Sequence, residues 1–440
     1  MPRSARISGF PEWLPAGRIV EQHVIDRARD VFELHGFASI ETRSVEPLEE
    51  MLRKGEIDKE VYVLRRLHAA ADEPDPGLGL HFDLTVPFAR YVLANAGRLE
   101  FPFRRYQIQK VWRGERPQEG RFREFTQADI DIVDRDALAF HHDVEMAVVM
   151  STLLSELPIP SAIVHVSNRK LAEGFYRAVG ASDPAAVLRV VDKLDKIGSE
   201  AVARLLVQEA GLSSSAADQC LRLAAITSPD TAFADALAGL GPGSALMDQG
   251  VEELAAVVEG ANRLRPGSVM ADLRIARGLD YYTGTVYETV LQGHEGIGSI
   301  ASGGRYDSLA SDGRVAYPGV GISLGVSRLV SVLLERELVD VDRAVPTVVL
   351  VAVNEEGSRF DSERIAGLLR DRGIAAEVAP RADKFGKQIR YADRRGIPYV
   401  WFPGAEEPVK DIRSGEQVAA DPGHWQPPRE DLHPRVTLRA

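Results

Sequence analysis

The chain has 440 residues, 45% of them hydrophobic and 27% charged, which exceeds one ordinary core and points to two or three domains. A single cysteine, Cys220, excludes an intrachain disulfide framework and any cysteine-based zinc cluster. The net charge of −12 argues against indiscriminate nucleic-acid binding, so a nucleic-acid partner would require a local basic patch.

No apolar run is long enough to cross a bilayer. The opening MPRSARISGFPEW lacks an apolar signal core, and a reducing cytoplasm is the expected compartment. Apolar positions at helical spacing predict a helix over 19–34, stopped at Gly36, followed by a strand over 37–47 that ends at a proline. Residues 61–67 and 80–84 read as a hairpin around the Asp/Pro/Gly-rich loop 71–79. Its second arm runs into DLTVPFAR (83–90), where Asp83 reads as a local cap for a helix opening at Thr85 or Pro87.

The stretch 103–133 alternates with a period of two. Arg105, Gln107, Gln109 and Arg113 share one face of its first arm, with Val111 the exception. Arg121, Arg123, Phe125, Gln127, Asp129 and Asp131 share one face of the second. Tyr106, Ile108, Trp112, Phe122, Ala128, Ile130 and Ile132 oppose them, which predicts an antiparallel hairpin with a polar loop over 114–120. A solvated strand face is the plainer reading. Mixed Arg, Gln and Asp around one Phe instead suit a ligand with phosphates, a ring and cationic groups.

An apolar helix follows over 137–157; its adjacent His141 and His142 cannot share one face and read as packing or surface residues rather than metal ligands. A strand spans 163–166. From Asn168 to Leu264 the chain is Ala/Leu-rich with Ser and Asp caps and no strong strand, which predicts a helical insertion. Strands return over 270–290. On propensity alone the tyrosines of RGLDYYTG (277–284) would be core, and the glycines of GGRYD (303–307) would mark only a tight bend or close approach. GVGISLGVSRL (319–329) is a Gly-alternating strand entering a helix. After a linker over 338–346, strands at 347–353, 375–378 and 398–402 alternate with helices at 359–372 and 387–395, a separate small α/β domain. Between 381 and 395, six cations (Arg381, Lys384, Lys387, Arg390, Arg394 and Arg395) face only Asp383 and Asp393. That is the basic patch the acidic total requires, although a solvated helix face has the same composition.

Several of these stretches carry a family resemblance. WRGE (112–115) followed by REF (123–125) is similar to motif 2 of class II aminoacyl-tRNA synthetases, with Trp112 where Phe is common. RGERPQEGRFREFTQ, RGLDYYTG, GGRYD and DLTVPFAR resemble the histidyl-tRNA synthetase versions. The segment 19–47 resembles motif 1, which builds the family's dimer interface, and 319–329 resembles motif 3, with Ser327 where Glu is usual. KFGKQIRYADRRGIPYV resembles the family's anticodon-binding domain.

The resemblance implies an α+β fold: a class II antiparallel-sheet catalytic domain (1–167 and 265–337), a helical insertion (168–264) and a C-terminal α/β anticodon-binding domain (346–440). It implies a homodimer, with ATP, L-histidine and tRNA(His) as partners and no membrane. The implied reaction joins histidine to the α-phosphate of ATP and then transfers it to tRNA. By resemblance, Arg113 and Arg277 hold the α-phosphate, Glu115 and Phe125 the adenine, and Arg123 and Arg328 the outer phosphates. Mg²⁺ would come with ATP, without a dedicated protein metal site. Asp83, Thr85 and Gln127 would bind the amino acid's ammonium; Asp131 (where Glu is frequent), Tyr282 and Tyr306 would read its imidazole. Arg116 and Gln118 would meet the tRNA acceptor end, and Lys384, Lys387, Arg390 and Arg394 the anticodon. The rivals are another class II synthetase, a generic RNA-binding module, and the non-catalytic paralogue that regulates ATP phosphoribosyltransferase in histidine biosynthesis. That paralogue typically lacks the C-terminal domain and the arginine of RGLDYY.

Overall fold

The computed structural model describes residues 7–52, 60–67, 77–241, 243–276, 281–311 and 313–439. Its contacts divide the chain into two units. One comprises Val24–Glu335 with the segment up to Pro11; the other comprises Glu12–His23 with everything from Arg336 onward.

Helix α1 (Pro15–Leu34) opens on a proline, whose missing N–H is not needed in a first turn. It closes where Gly36 adopts φ +77°. There the Phe37 N–H reaches back to Phe32 O at 3.0 Å and the Gly36 N–H to Glu33 O at 2.9 Å, satisfying the last carbonyls. The strand expected over 37–47 is two short pieces, β1 (Ala38–Ser39) and β2 (Val45–Pro47), with α2 (Leu48–Leu52) directly after. The intervening residues bend because Thr42 and Ser44 bond side chains instead of a ladder: the Gln107 amide donates to Thr42 Oγ1 at 2.9 Å, and the Gln109 amide to Ser44 Oγ at 3.0 Å. The hairpin expected from 61–67 and 80–84 is likewise reduced. β3 (Leu78–Leu80) pairs with β2, and among the described residues of the first arm only Val63 forms a bridge, to Gly79. Part of its loop, 68–76, lies outside the described residues.

Helix α3 (Thr85–Asn95) precedes the long pair β4 (Phe103–Trp112) and β5 (Glu124–Val133), then α4 (His141–Glu156) and β6 (Ala162–Asn168). The second hairpin arm starts at Glu124, not at Arg121. The N–H groups of Arg123 and Glu124 both turn to Gly9 O, at 2.7 and 3.1 Å, which takes 121–123 into the loop. The insertion holds α5 (Arg169–Ala178), α6 (Pro184–Val191), α7 (Leu194–Ile197), α8 (Ser199–Gln208) and α9 (Ser214–Ala224). The two-residue β7 (Thr227–Ser228), α10 (Phe233–Ala238) and α11 (Ala245–Leu264) complete it. Asn168 caps α5 by accepting from Lys170 N at 2.9 Å. Glycines let α5 and α11 touch: a Cβ on Gly250 would sit 2.2 Å from Leu171 N, and one on Gly174 2.4 Å from Met247 N.

β8 (Val269–Asp272), β9 (Thr285–Leu291), β10 (Ala301–Tyr306), β11 (Gly319–Gly325) and α12 (Val326–Glu335) complete this unit. One nine-stranded sheet organises it, in the order β1-β4-β5-β11-β10-β9-β6-β8-β7. Every neighbouring pair is antiparallel except β1/β4 and β6/β8. Ala128, Ile130 and Ile132 of β5 bury the apolar face completely, with Val320 and Leu324 of β11 beside them.

The second unit contains β12 (Val339–Val341), β13 (Val349–Val351), α13 (Arg359–Arg370), β14 (Ala376–Val378) and α14 (Phe385–Arg394). β15 (Tyr399–Trp401), β16 (Val409–Asp411), β17 (Gln417–Val418) and β18 (Val436–Leu438) follow. Its five-stranded sheet runs β14-β13-β15-β16-β17, with β14, β13 and β15 parallel as a β-α-β-α-β chain requires. Val349 and Val351 pack with Ile365 and Leu369 in one core. Leu350 and Val400 pack with Ala392 and Ile397 in another, so each sheet face has its own helix. The stretch expected as a bare linker, 338–346, holds β12, which pairs antiparallel with β18.

Candidate active site

Three odd-numbered residues of β5, Gln127, Asp129 and Asp131, form a row of buried polar groups. Asp131 stands opposite Arg105 on β4 and Gly321 on β11; Asp129 lies between Gln107 and Ser323, and Gln127 between Gln109 and Gly325. Arg105, Gln107, Gln127, Asp129 and Asp131 are all buried, so this is not a solvated face. The Arg105 guanidinium pairs with Asp131 at 2.6 Å and lies over the Phe88 ring at 4.3 Å. Tyr306 Oη donates to the same carboxylate at 2.7 Å, and burial together with that carboxylate pushes its phenol well above its ordinary range.

Glycines make the room for this arrangement. A Cβ on Gly321 would lie 2.1 Å from Asp131 Oδ1, one on Gly319 2.5 Å from Tyr306 Cζ, and one on Gly304 2.8 Å from Tyr282 Cδ1. The backbone of β10 and β11 thus approaches as closely as only glycine permits.

An inner chamber of about 80 Å³ is lined by Asp83, Thr85, Gln127, Asp129, Asp131, Tyr282 and Tyr306, with Arg113, Ser302 and Ser323 at its mouth. An outer chamber of about 240 Å³ shares Arg113, Gln127, Ser302 and Ser323 with it, and adds Glu115, Arg121, Phe125, Ser299 and Arg328. Six expected amino-acid ligands therefore meet in one chamber, and four expected nucleotide ligands line the other. Arg113 stands between them. Its guanidinium lies 4.3 Å from the Phe82 centroid and 5.2 Å from that of Phe125, and its Nε donates to Phe82 O at 3.2 Å.

Individual residues refine the picture. Asp83 caps α3 as its spacing suggests, accepting from Val86 N at 3.1 Å, and also lines the inner chamber. Arg328 is anchored by Gly120 O at 3.0 Å and by the Ser299 carbonyl. Arg123 does not line the outer chamber; its Nε donates to Glu115 O at 3.1 Å, and Arg121 lines the chamber instead. Arg116 and Gln118 are exposed on the loop between β4 and β5. Ser327 is buried and accepts from Thr126 N at 2.8 Å, fastening α12 to β5. Arg277, with 278–280, lies outside the described residues. The arginine of GGRYD is structural: Arg305 reaches Asp143 of α4 at 2.8 Å and Leu138 O at 3.1 Å.

Asp129, Ser323 and Tyr281 were not singled out by sequence as ligands, yet all three line the inner chamber. The period-two pattern had already placed Asp129 on the right face. Burial pushes the Asp129 carboxyl up to about 7, with Asp131 and Asp83 adding to the rise and Arg105 opposing it.

In the C-terminal unit, Lys387, Arg390 and Arg394 recur along one exposed face of α14. With Arg381 and Tyr391 they line a groove of about 540 Å³. Lys384 is exposed at the helix start, whereas Arg395 turns away to Glu377 at 2.5 Å. Gln388 pins the helix beneath, exchanging bonds with Val353 N and O at 3.0 and 2.8 Å.

Comparison with known proteins bears on the whole chain. The family model described as Histidyl-tRNA synthetase matches residues 9–329, and one described as Anticodon binding domain matches 347–422. The chain belongs to the histidyl-tRNA synthetase family. It is 60% identical to the histidine--tRNA ligase of Cutibacterium acnes over 99% of both chains, and 58% identical to that of Micrococcus luteus over 99% of both. A crystal structure of histidyl-tRNA synthetase from Nostoc sp. PCC 7120 superposes with a TM-score of 0.85 at 33% identity, covering 96% of this chain and 97% of that one. The α+β architecture with a separate C-terminal domain is that of this family, and the full-length match favours a catalytic histidyl-tRNA synthetase over the regulatory paralogue.

Proposed function

We propose that the chain joins L-histidine to tRNA(His) at the expense of ATP, with the inner chamber holding the amino acid and the outer one the nucleotide. The observation that carries the division is Arg113, held between Phe82 and Phe125 where the two chambers meet. A fixed guanidinium there faces the α-phosphate as the histidine carboxylate attacks it and pyrophosphate leaves. The carboxylate is already a nucleophile, so this step needs positioning and charge stabilisation rather than a side-chain base. A ribose hydroxyl of the tRNA end then attacks the activated carbonyl and AMP departs.

In this reading Phe125 stacks on adenine, Glu115 bonds it, and Arg328 with Arg121 or Arg123 takes the outer phosphates. Arg277 completes the α-phosphate site, on the strength of its motif. Mg²⁺ enters with the phosphates as part of the substrate; among the described residues no group of three or more His, Cys, Asp or Glu is placed to hold a metal ion. Asp83, Thr85 and Gln127 bind the ammonium, while Asp131, Tyr282 and Tyr306 read the imidazole. A pocket matched to two ring nitrogens rejects isosteres because a mismatch leaves buried groups unpaired. Arg116 and Gln118 meet the acceptor end, and Lys384, Lys387, Arg390 and Arg394 the anticodon. The domain limits given by the sequence, a homodimer and a cytoplasmic location complete the proposal; among the described residues no helix is long and apolar enough to cross a membrane.

ATP–pyrophosphate exchange tests it, with each amino acid in turn. Exchange with histidine alone, collapsing in Arg113→Ala and Arg277→Ala, is the expected result. Exchange with another amino acid would overturn the assignment of the inner chamber.

A further inference from the structure

Among the described residues, two buried oxygens of the inner chamber have no hydrogen-bond donor: Gln127 Oε1 and Asp129 Oδ1. Both side chains are more than nine-tenths buried and both line the chamber. An orphaned buried acceptor is costly, and a carboxylate oxygen more so, unless a donor arrives with a ligand.

A short chain of hydrogen bonds holds these oxygens toward the cavity. Gln127 Nε2 donates to Ser323 Oγ at 2.7 Å, and the Ser323 hydroxyl in turn bonds the Asp129 carboxylate. Each group is thereby committed on one side. With its nitrogen used, the Gln127 amide can present only its oxygen; with one carboxylate oxygen on Ser323, Asp129 presents the other.

Charge points the same way. Among the described residues, three carboxylates, Asp83, Asp129 and Asp131, line the inner chamber against one lining arginine, Arg113. Arg105 is already paired with Asp131. Asp83 gives one oxygen to the Val86 N–H at the start of α3. Asp129 has no cation within ion-pair distance among the described residues; burial favours its neutral form in the empty chamber, and a bound cation would draw it into the charged one.

Position fixes which cation. Alternate residues on a strand are about 7 Å apart, so Gln127, Asp129 and Asp131 form a ladder running from the junction inward. Asp131, held by Arg105 and Tyr306, is the inner rung, and Gln127 is shared with the outer chamber. A ligand with its ring at the inner rung and its carboxylate toward Arg113 places its amino group beside the middle rung.

We propose that Asp129, presented by Ser323, is a specificity-determining residue of the amino-acid pocket: beside Asp83, it is a second counter-charge of the substrate's ammonium group and accepts its hydrogen bonds together with Gln127. This rests on the reading of the inner chamber as the amino-acid site and adds a residue to that site.

The test uses the full-length protein and a pair of competitive inhibitors of histidine-dependent exchange, histidinol and its amino-free analogue 3-(imidazol-4-yl)propan-1-ol. They differ only in the amino group. In the wild type, histidinol is expected to bind more tightly. Asp129→Asn keeps the shape and removes a charge that burial opposes, so folding is not threatened. It should weaken histidinol about 10- to 100-fold, the range for losing a charge-assisted hydrogen bond, and raise the KM for histidine in parallel. The amino-free alcohol should bind as before. Ser323→Ala, which leaves the carboxylate but frees its orientation, should reduce the discrimination in part. Unchanged discrimination in both variants, or equal weakening of both inhibitors, would overturn the proposal while leaving histidine activation standing. No exchange with histidine in the wild type would instead overturn the reading on which it rests.

Discussion

The Arg105 guanidinium and the Asp131 carboxylate face each other at 2.6 Å across β4 and β5, both of them buried. The pair fixes the carboxylate proposed to meet the imidazole. Removing one member of a buried pair leaves an uncompensated charge, a loss of about 3–5 kcal/mol. Arg105→Leu should therefore lower the melting temperature and raise the KM for histidine with little change in that for ATP. Equal changes for both substrates would indicate a general loss of structure rather than a histidine-specific role.

Gly321→Ala places a methyl where Asp131 Oδ1 now lies, and its other close neighbour is the Ile130 carbonyl. Overpacking of this kind costs about 1–3 kcal/mol. If the strain falls on the bound transition state, kcat/KM for histidine drops about 5- to 150-fold. Steady-state exchange kinetics at saturating ATP measure it.

Arg305 and Asp143 join β10 to α4, with Thr285 Oγ1 adding a bond to Asp143 at 2.6 Å. Burial raises the Asp143 carboxyl despite the arginine beside it. Asp143→Ala should cost about 3–5 kcal/mol of stability, read by denaturant unfolding. Whatever folded fraction remains should keep its KM for histidine, because neither residue lines the inner chamber.

Asp129 makes the stability of the ligand-free protein depend on pH. Its carboxyl sits at about 7 in the folded chain against an ordinary 3.8. Between those values the folded state holds a proton that the unfolded state has released, so stability falls as pH rises through this window and the full penalty stands above about 7. Asn has no such penalty. The melting temperature of Asp129→Asn relative to wild type should rise from pH 4 to pH 8, by an amount equivalent to about 4 kcal/mol at most. A constant difference across that range would show that Asp129 is ionised throughout.

On the C-terminal unit, Lys387→Ala and Arg390→Ala should weaken full-length tRNA(His). The salt dependence of binding should flatten by about one unit of slope for each phosphate left without its cation. An acceptor-stem minihelix should be unaffected. Filter binding across a salt series separates the two.

Much of this was written in the local pattern. Period-two alternation placed Gln127, Asp129 and Asp131 on one face and Ile130 on the other, because side-chain direction in a strand depends only on parity. The helical character of 168–264 and the β-α-β-α-β chain of the C-terminal unit were equally local. What parity could not convey was which polar residues find partners. Arg305 and Arg113 look alike as motif arginines, yet one is spent on Asp143 and the other stands open at the junction. Arg123 left the outer chamber because Gly9, more than a hundred residues away, draws its backbone into the loop. Val339 to Val341 of the linker over 338–346 became a strand because their partner is β18, at the far end of the unit. Each of these depends on residues distant in sequence.

The pairing of β12 with β18 also brings the two ends of the segment 339–438 side by side. Val339 lies beside Leu438 and Val341 beside Val436. Segments whose ends adjoin accept circular permutation. Clipping the last strand would not merely shorten a tail; it would leave Val339 to Val341 without their ladder partner.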